Sequence, residues 1–371
     1  MVDALARPQT AAYQDGTAMR DTRTHAIREG DEETARSDEI ARFLAAAGWA
    51  DCAIEPLASD ASFRRYHRVR GVRGGALVMD LPAQAPPPQN DLRPYLRIAT
   101  ILRDLDLSAP EILAADLEAG LALIEDFGDD TYNRILARGG DETALYGLAV
   151  DTLIALHERY RPQPHIARFE EARALAEVEL VLDWYLPAVS GHSIEESARA
   201  EFRAAWSSAF SIAAFVPESL ALFDYHIDNL MLLPGRSGTK ACGLLDFQDA
   251  LHAPIVFDLV SLIEDARRDV DPELGGRLIV RYLDAFPSLE AERFSAAYAL
   301  IGAQRNTRIL GTFARLDRRD GKPAYLDHIP RVWRWLDGDL RHPGLHRLAD
   351  WFGRHLPTEL RIAPKASKGA P

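Results

Sequence analysis

A hairpin pattern inside a helical stretch is the feature that most constrains the fold of this chain. The apolar runs at 230–233 and 242–245 flank a Pro-Gly-Arg-Ser-Gly turn, a pattern typical of two antiparallel strands. On both sides of this hairpin, apolar residues recur three and four positions apart, as in amphipathic helices. We therefore predict an α+β fold whose second half is mainly helical and carries one inserted hairpin.

The first half of the chain has a different periodicity. Residues 63–69 alternate between aromatic residues and Arg, and short apolar runs follow at 76–79 and 121–124. These three segments predict the strands of one small sheet. Helical spacing at 38–49 and at 91–105 predicts two helices beside that sheet. The sequence thus indicates two lobes, a small mixed one followed by a larger helical one.

The predicted boundaries follow from where apolar periodicity begins and ends. Both ends of the chain lack apolar periodicity, so we expect no ordered structure there. We divide the chain into a disordered N-terminal extension at 1–37, an N-terminal lobe at 38–124, a hinge at 125–129, a C-terminal lobe at 130–358 and a flexible tail at 359–371.

Composition excludes several classes of protein. The chain has 43 Lys and Arg against 56 Asp and Glu, a formal net charge of −13, which repels phosphate backbones and anionic lipid surfaces. No apolar stretch is long enough to span a bilayer. The two cysteines, Cys52 and Cys242, lie far apart without metal-ligand spacing. We expect a cytoplasmic protein that binds neither nucleic acid nor membrane, with no zinc site and no disulfide framework.

The residues with the clearest chemical signature surround the hairpin. Asp224 and Asn229 have the Asp-x₄-Asn spacing of a kinase catalytic loop, and Asp246 ends the second apolar run in a DFQ triplet. Phosphoryl transfer needs a carboxylate that orients the attacking hydroxyl and oxygen ligands that hold Mg²⁺. Because the hairpin folds Asp246 back beside Asn229, both oxygens could face one metal ion.

Two further residues of this loop have more than one interpretation. His226 is either a ligand or a loop histidine with satisfied hydrogen bonds, and Asp228 either contacts a substrate or orients the loop. Asp258, at the start of an apolar helix, is better explained as a loop-anchoring or N-terminal carboxylate than as a catalyst.

Three motifs resemble a known superfamily. They are YHIDNL at 225–230, GLLDFQDA at 243–250 and FDLVSL at 257–262, and they are similar to the aminoglycoside phosphotransferase-like branch of the protein-kinase-like fold. A second set of motifs resembles more closely the bacterial anomeric kinases of N-acetylmuramate and N-acetylglucosamine. That set comprises SDASFRRY at 59–66, VMDLP at 78–82, DARRDV at 265–270, LGTFARL at 310–316 and RDGKP at 319–323. The similarity extends from about residue 40 to about residue 352.

The resemblance implies a bilobal fold with an N-terminal nucleotide-binding lobe, and it implies roles for individual residues. Asp224 would be the catalytic base, and Asn229 and Asp246 would hold Mg²⁺. The turn over the ATP phosphates would comprise Ser59, Asp60, Ala61, Ser62, Phe63 and Arg64, and the adenine-binding hinge would comprise Glu125, Asp126 and Phe127. On the acceptor side we expect Asp228, Arg267 and Arg305.

The chain departs from the family pattern at two places. Leu222 and Phe223 stand where a His and an Arg usually precede the catalytic Asp. The third strand offers no lysine to pair with ATP, and Asp80 lies near the expected position. The cation that meets the phosphates is therefore unassigned, and Arg64 or Arg65 could supply it.

The resemblance implies an ATP- and Mg²⁺-dependent kinase that phosphorylates the anomeric hydroxyl of N-acetylmuramate and N-acetylglucosamine in peptidoglycan recycling. A basic cluster on the expected acceptor helices favours an anionic or neutral amino sugar over a polycationic aminoglycoside; it comprises Arg267, Arg268, Arg305, Arg308, Arg315 and Lys322. A kinase for another small hydroxyl compound and a nucleotide-binding pseudokinase are the alternatives. The sequence does not decide between a monomer and a weak homodimer.

Overall fold

The computed structural model describes residues 22–57, 64–82 and 90–367, and for residues 22–32 it describes the backbone only. The N-terminal part of this structure consists of two helices and five strands. In chain order they are α1 (Thr22–Ala46), β1 (Ala53–Pro56), β2 (Arg65–Gly71), β3 (Gly74–Asp80), α2 (Arg93–Asp104), β4 (Ile112–Asp116) and β5 (Leu121–Glu125). The five strands form one sheet in the order β1-β2-β3-β5-β4, and every neighbouring pair is antiparallel.

The two faces of this sheet are buried by different helices. On one face Val78 of β3 packs in an apolar cluster with Ile40 and Leu44 of α1. On the other face Met79 joins the large core that contains Tyr95 of α2. Consecutive residues of β3 thus face opposite sides, as the pleat of a strand requires. The face toward α2 is also the face toward the C-terminal part, because the same core continues into it.

The C-terminal part is mainly helical. Its helices are α3 (Tyr132–Ala137), α4 (Glu142–Arg159), α5 (Glu171–Leu180), α6 (Leu186–Ser190), α7 (Glu196–Phe210), α8 (Phe257–Ile263), α9 (Pro272–Ala285), α10 (Ala291–Asp320), α11 (Ile329–Asp339) and α12 (His346–His355), and a π-helical turn at Val181–Tyr185 joins α5 to α6. Four short strands lie between α7 and α8, namely β6 (Glu218–Ala221), β7 (Leu230–Leu232), β8 (Cys242–Leu244) and β9 (Leu251–Pro254).

The four short strands form two antiparallel ribbons that hold the middle of the C-terminal part. In the β7–β8 hairpin Leu230 pairs with Leu244. Strands β6 and β9, which precede and follow this hairpin in the chain, pair with each other. Both ribbons pack into the core that includes α4 and α8. A second core, formed by α5–α7 and α10–α12, lies in the remainder of the C-terminal part.

The structure confirms the predicted fold class, a small sheet lobe followed by a helical lobe with an inserted hairpin. The strands predicted at 63–69, 76–79 and 121–124 correspond to β2, β3 and β5. Strands β1, β4, β6 and β9 were not predicted, because four or five residues without alternation give no period-2 signal. The exact limits of the lobes and of the hinge stay predictions.

The ordered structure extends further at both ends than the sequence indicates. Helix α1 begins at Thr22 rather than at Asp38, within the segment expected to be disordered. Its first turns carry no apolar stripe, so periodicity marks only the part that packs on the sheet. Near the other end, the N–H of Ser367 donates to the Asp317 carboxylate on α10, so the expected tail is anchored up to that residue. Residues 1–21 lie outside the described residues.

None of the helices within the described residues combines the length and the apolar character needed to cross a membrane. The expected cytoplasmic location stays a prediction.

Candidate active site

The loop between β6 and β7 carries Asp224, and a buried carboxylate anchors this loop through hydrogen bonds to its backbone. Asp258, near the start of α8, accepts hydrogen bonds from the backbone N–H groups of Leu222 (2.6 Å) and Phe223 (3.0 Å). Phe223 has φ +77°, a left-handed conformation that costs free energy in a non-glycine residue. The two hydrogen bonds to Asp258 hold that strained turn. Asp258 therefore anchors the loop, as predicted from the sequence. Asp224, which is half-buried, is the residue immediately after Phe223.

The hairpin brings the other two candidate catalytic residues to the same place. The Leu245 N–H donates to the Asn229 carbonyl oxygen (3.0 Å), which holds the start of one strand beside the end of the other. Asn229 also donates from Nδ2 to the Asp224 carbonyl oxygen (2.9 Å). Within the described residues Oδ1 of Asn229 accepts no hydrogen bond, so it is available to a ligand. Asp246, one residue after Leu245, thus lies beside the loop of Asp224.

Two carboxylates near one another make this a site that favours a cation. The Asp246 side chain is 44% exposed, and its pKa is raised above its ordinary value by partial desolvation and by the negative charge of Asp224. Asp246 has φ +55°, a second strained residue beside the same loop. Backbone strain of this kind is concentrated at functional sites, so it supports the choice of this cleft as the candidate active site.

The predicted phosphate turn lies mostly outside the described residues. Ser59, Asp60, Ala61, Ser62 and Phe63 belong to the segment that the structure does not describe. Arg64 is described, and its Nη1 lies 3.3 Å from Oδ1 of Asp246. This ion pair joins the start of β2 to the end of the hairpin and so crosses the cleft between the lobes.

The predicted hinge residues contact both lobes through their side chains. Glu125 forms an ion pair with Arg236 of the hairpin turn, and Asp126 forms one with Arg68 of β2 (2.7 Å). The ring of Phe127 lies under the Arg236 guanidinium, 5.1 Å from its carbon. Within the described residues, the backbone N–H and C=O of Phe127 form no hydrogen bond. These groups are available to a ligand, as an adenine-binding hinge requires.

Asp228 is held by two contacts. Its Oδ1 accepts a hydrogen bond from Nδ2 of Asn133 on α3 (2.6 Å), and its Oδ2 lies 3.5 Å from Nε of Arg267. Asp228 thus ties the loop to neighbouring elements, which favours the orienting interpretation over direct substrate contact.

His226 is buried within the loop. Its Nε2 lies 3.3 Å from Asn229 Nδ2 and 3.4 Å from Nη1 of Arg267. Burial lowers the pKa of His226 well below its ordinary value, and the charges of Arg267 and Arg305 lower it further. A neutral imidazole whose Nε2 accepts these hydrogen bonds supports Asn229, so His226 is a structural residue of the loop.

The two arginines expected on the acceptor side differ in their exposure. Arg267 is one-third exposed, and its ion-pair contacts with Asp228 and Asp265 are long, at 3.5 and 3.9 Å. Arg305 is only 2% exposed and donates from Nη1 to the Glu264 carbonyl oxygen (3.0 Å). Burial lowers the pKa of Arg305 to about 10, while the nearby negative charges, including that of Asp224, oppose this shift. Arg267 is therefore the more accessible of the two.

Several residues that support the site are not predicted from the sequence. Arg68, Asn133 and Arg236 hold the hinge and the loop through contacts between residues at least 58 positions apart. No local spacing marks such residues, although the alternation of Arg and aromatic residues in β2 does place Arg68 on a defined strand face.

The fold belongs to the protein-kinase-like class. The choline kinase LicA of Streptococcus pneumoniae superposes with a TM-score of 0.58 at 14% identity, over 84% of this chain and all of that one. The ADP-bound aminoglycoside phosphotransferase APH(2'')-Ib superposes with a TM-score of 0.50 at 13% identity, over 76% of this chain and 92% of that one. At these identities the similarity concerns the fold.

Sequence comparison places the chain more narrowly. The profile described as the Phosphotransferase enzyme family matches residues 53–294, and the chain belongs to that family. Among its relatives, the N-acetylmuramate/N-acetylglucosamine kinase of Caulobacter vibrioides is 38% identical over 86% of this chain and 97% of its own length. The enzyme of that name from Pseudomonas aeruginosa is 34% identical over 84% of this chain and 92% of its own length. The resemblance drawn from the motifs is confirmed, and the protein is a small-molecule kinase.

Proposed function

We propose that this chain transfers the γ-phosphoryl group of ATP to the anomeric hydroxyl of N-acetylmuramate and N-acetylglucosamine, giving the sugar 1-phosphates in peptidoglycan recycling. The proposal of phosphoryl transfer rests on one observation, which is that Asp224, Asn229 and Asp246 lie close together at one end of the hairpin. The similarity to relatives named for these two sugars supports the acceptor class.

In the proposed reaction Asp224 orients the sugar and takes its proton. The 1-hydroxyl oxygen attacks the γ-phosphorus in line, the new O–P bond forms, and the bond to the β,γ-bridging oxygen breaks. The hydroxyl proton passes to the Asp224 carboxylate, and ADP leaves with the bridging oxygen. Asp258 contributes by fixing the two backbone N–H groups that precede Asp224. The anchored loop keeps the carboxylate in place before the substrates arrive.

The cleft suits Mg²⁺ as a partner of the nucleotide. Asp246 and Oδ1 of Asn229 offer oxygen ligands, and the repulsion between Asp246 and Asp224 is relieved by a cation. Across the described part of the chain, no three His, Cys, Asp or Glu side chains are arranged to hold a metal ion. With Asp246 and Asn229 as protein ligands, the substrate phosphates would supply further oxygens, as in the usual Mg²⁺ arrangement, in which one or two carboxylates and the phosphates share the ion. When bound, Mg²⁺ would neutralise charge on the phosphate oxygens.

The charges on the acceptor side support an amino sugar that is neutral or carries one carboxylate. N-acetylmuramate brings a lactyl carboxylate, which calls for a cation, whereas N-acetylglucosamine is neutral. Arg267 is partly exposed and only loosely paired with Asp228 and Asp265, so it could meet such a carboxylate. Arg268 is held more firmly, with Nε 3.0 Å from Oε1 of Glu142.

The test is ³¹P NMR of the purified protein with ATP, Mg²⁺ and either sugar. We expect a sugar phosphate signal coupled to the anomeric proton. Asp224→Asn should lower the rate by about 10²- to 10⁴-fold, the usual contribution of a positioned acid or base, with an unchanged melting temperature. Asp284→Asn, on the exposed face of α9, is the control and should retain activity.

Different failures have different meanings. Phosphate transfer at another hydroxyl would contradict the anomeric assignment, and transfer only to another acceptor, such as an aminoglycoside or an amino alcohol, would contradict the sugar class. ATP binding without transfer to any acceptor would support a pseudokinase instead. Near-normal activity of Asp224→Asn would remove Asp224 from the role of base.

A further inference from the structure

The third strand, β3, lacks the cation that a kinase of this class directs at the nucleotide phosphates. No Lys or Arg occurs anywhere in β3. At the end of this strand, the face toward the cleft carries Met79, which packs in the same core as Tyr95 of α2. An apolar thioether cannot neutralise a phosphate, so the positive charge has to come from another element.

Asp80, the residue next to Met79, faces away from the cleft. Its Oδ1 accepts hydrogen bonds from Nε (2.9 Å) and Nη2 (2.5 Å) of Arg36 on α1, and its Oδ2 lies 3.7 Å from Nε2 of His67. Helix α1 covers the face that carries Val78, so Asp80 and Arg36 belong to the outer side of the sheet. Asp80 therefore lies near the position along β3 where the lysine is expected, but its side chain does not face the cleft.

The register of β2 separates the two candidate arginines. Tyr66 pairs with Met79 and packs against the same core, whereas Arg65 pairs with Asp80. Side chains alternate along a strand, so Arg64, two residues before Tyr66, belongs to the cleft side and Arg65 to the outer side. The contact between Arg64 and Asp246 across the cleft agrees with this assignment.

We propose that Arg64 is the residue that meets the β- and γ-phosphates, in place of a third-strand lysine. This inference rests on the proposed function as an ATP-dependent kinase. The side chain of Arg64 is only 13% exposed. Its guanidinium already lies against Asp246, one of the two oxygen ligands proposed for the metal ion that accompanies those phosphates. A guanidinium can contact two phosphate oxygens at once, which an ammonium group cannot do in the same geometry.

The proposal is tested by equilibrium binding rather than by turnover alone. Isothermal titration of the full chain in EDTA compares ATP, ADP and adenosine for the wild type, Arg64→Ala, Arg64→Lys and Arg65→Ala. We expect Arg64→Ala to weaken ATP and ADP by about 10- to 100-fold, as the loss of a hydrogen bond to a charged group predicts, with adenosine changed little. Arg64→Lys should recover part of the loss. Arg65→Ala, the same change on the outer face, should bind like the wild type.

Two results would overturn the role of Arg64. One is unchanged ATP and ADP affinity in Arg64→Ala, and the other is an equal loss for adenosine, which would point to a general disturbance of the cleft. Thermal denaturation of each variant identifies a folding defect. The wild-type sugar kinase assay separates this proposal from the function it rests on. If the wild type turns over the sugars but Arg64→Ala binds ATP and ADP normally, only the role of Arg64 is rejected. If the wild type shows no turnover but its ADP binding depends on Arg64, only the proposed kinase activity is rejected. A wild type that binds no nucleotide, either in EDTA or with Mg²⁺ present, rejects both.

Discussion

A Cβ atom on Gly243 would lie 2.8 Å from the ring of Phe127, closer than side chains pack. Gly243 is the central residue of β8, and Phe127 belongs to the predicted hinge. The missing side chain lets the hinge ring rest directly on the hairpin that carries Asp246 three residues later. The proposed adenine contact and the proposed metal ligand are thus joined through one close approach.

Gly243→Ala is therefore expected to push the hinge away from the hairpin. The new methyl group would also come within 3.0 Å of Cβ of Met231, so the strand cannot shift freely to that side. We expect a loss of about 1 to 3 kcal/mol in the free energy of unfolding, the usual cost of overpacking, and a raised KM for ATP. Urea denaturation and steady-state kinetics measure the two effects.

The control for this change lies in the turn of the same hairpin. A Cβ atom added to Gly235 would have no other atom within 4 Å apart from its chain neighbours, so Gly235→Ala should leave both the stability and the KM for ATP close to the wild-type values. Equal effects of the two substitutions would show that the contact with Phe127 is not the cause.

Asp258 supports catalysis without touching a substrate, so its removal should affect rate more than affinity. Asp258→Asn keeps one acceptor oxygen but turns an N–H donor toward one of the two backbone N–H groups. We expect a loss of about 1 to 3 kcal/mol of stability from the unsatisfied donor, and a lower kcat with a KM for ATP near that of the wild type. Urea denaturation measures the change in stability, and steady-state kinetics measures kcat and the KM for ATP. Asp284→Asn, on the exposed face of α9, is the control. An unchanged kcat in Asp258→Asn would contradict the anchoring role.

The sequence reveals the hairpin and the residues beside it because their signals are local. A turn of Pro, Gly and Ser between two apolar runs specifies the pairing of 230–232 with 242–244, and the spacing from Asp224 to Asn229 lies within one loop. The family motifs extended these local signals to the candidate site. The sequence could not reveal φ +77° at Phe223, because an aromatic residue carries no mark of a left-handed conformation.

Contacts between distant residues account for most of what the sequence did not predict. Arg36 meets Asp80 across 44 positions, and Arg68 meets Asp126 across 58. Each pair depends on which elements lie beside each strand, and that follows only from the complete sheet order. The direction of Asp80 is an example, because the sequence fixes its place along the strand while the register decides its face.

The acceptor side gives a prediction that compares two neighbouring arginines. Arg267 is loosely paired, whereas Arg268 forms a close ion pair with Glu142. Under the proposed function, Arg267→Gln should raise the KM for N-acetylmuramate by about tenfold or more, since a hydrogen bond to a charged group is lost, and should raise the KM for N-acetylglucosamine less. Arg268→Gln should leave the ratio of the two KM values unchanged. A parallel rise for both sugars in Arg267→Gln would assign that residue to the loop instead of the lactyl carboxylate.

We expect a buried pair of acids in the C-terminal part to make stability depend on pH. The carboxyl groups of Glu264 and Asp339 interact directly, and Nδ2 of Asn306 donates to both, at 2.7 and 3.1 Å. Desolvation raises the pKa of both groups, and for Asp339 the charge of Glu264 raises it further. The folded pair therefore keeps a proton at pH values where the unfolded chain has released it.

Because the folded state binds more protons than the unfolded state, stability should fall as the pH rises above the ordinary carboxyl range. Each unit by which a pKa is raised corresponds to about 1.4 kcal/mol lost across that interval. Asp339→Asn replaces one acid with a neutral group of the same size, so its free energy of unfolding should fall less than that of the wild type between pH 5 and pH 8. Urea denaturation at both values measures the difference, with Asp284→Asn as the exposed-carboxylate control. A wild type and an Asp339→Asn variant with the same pH dependence would contradict a raised pKa of Asp339 in the folded protein.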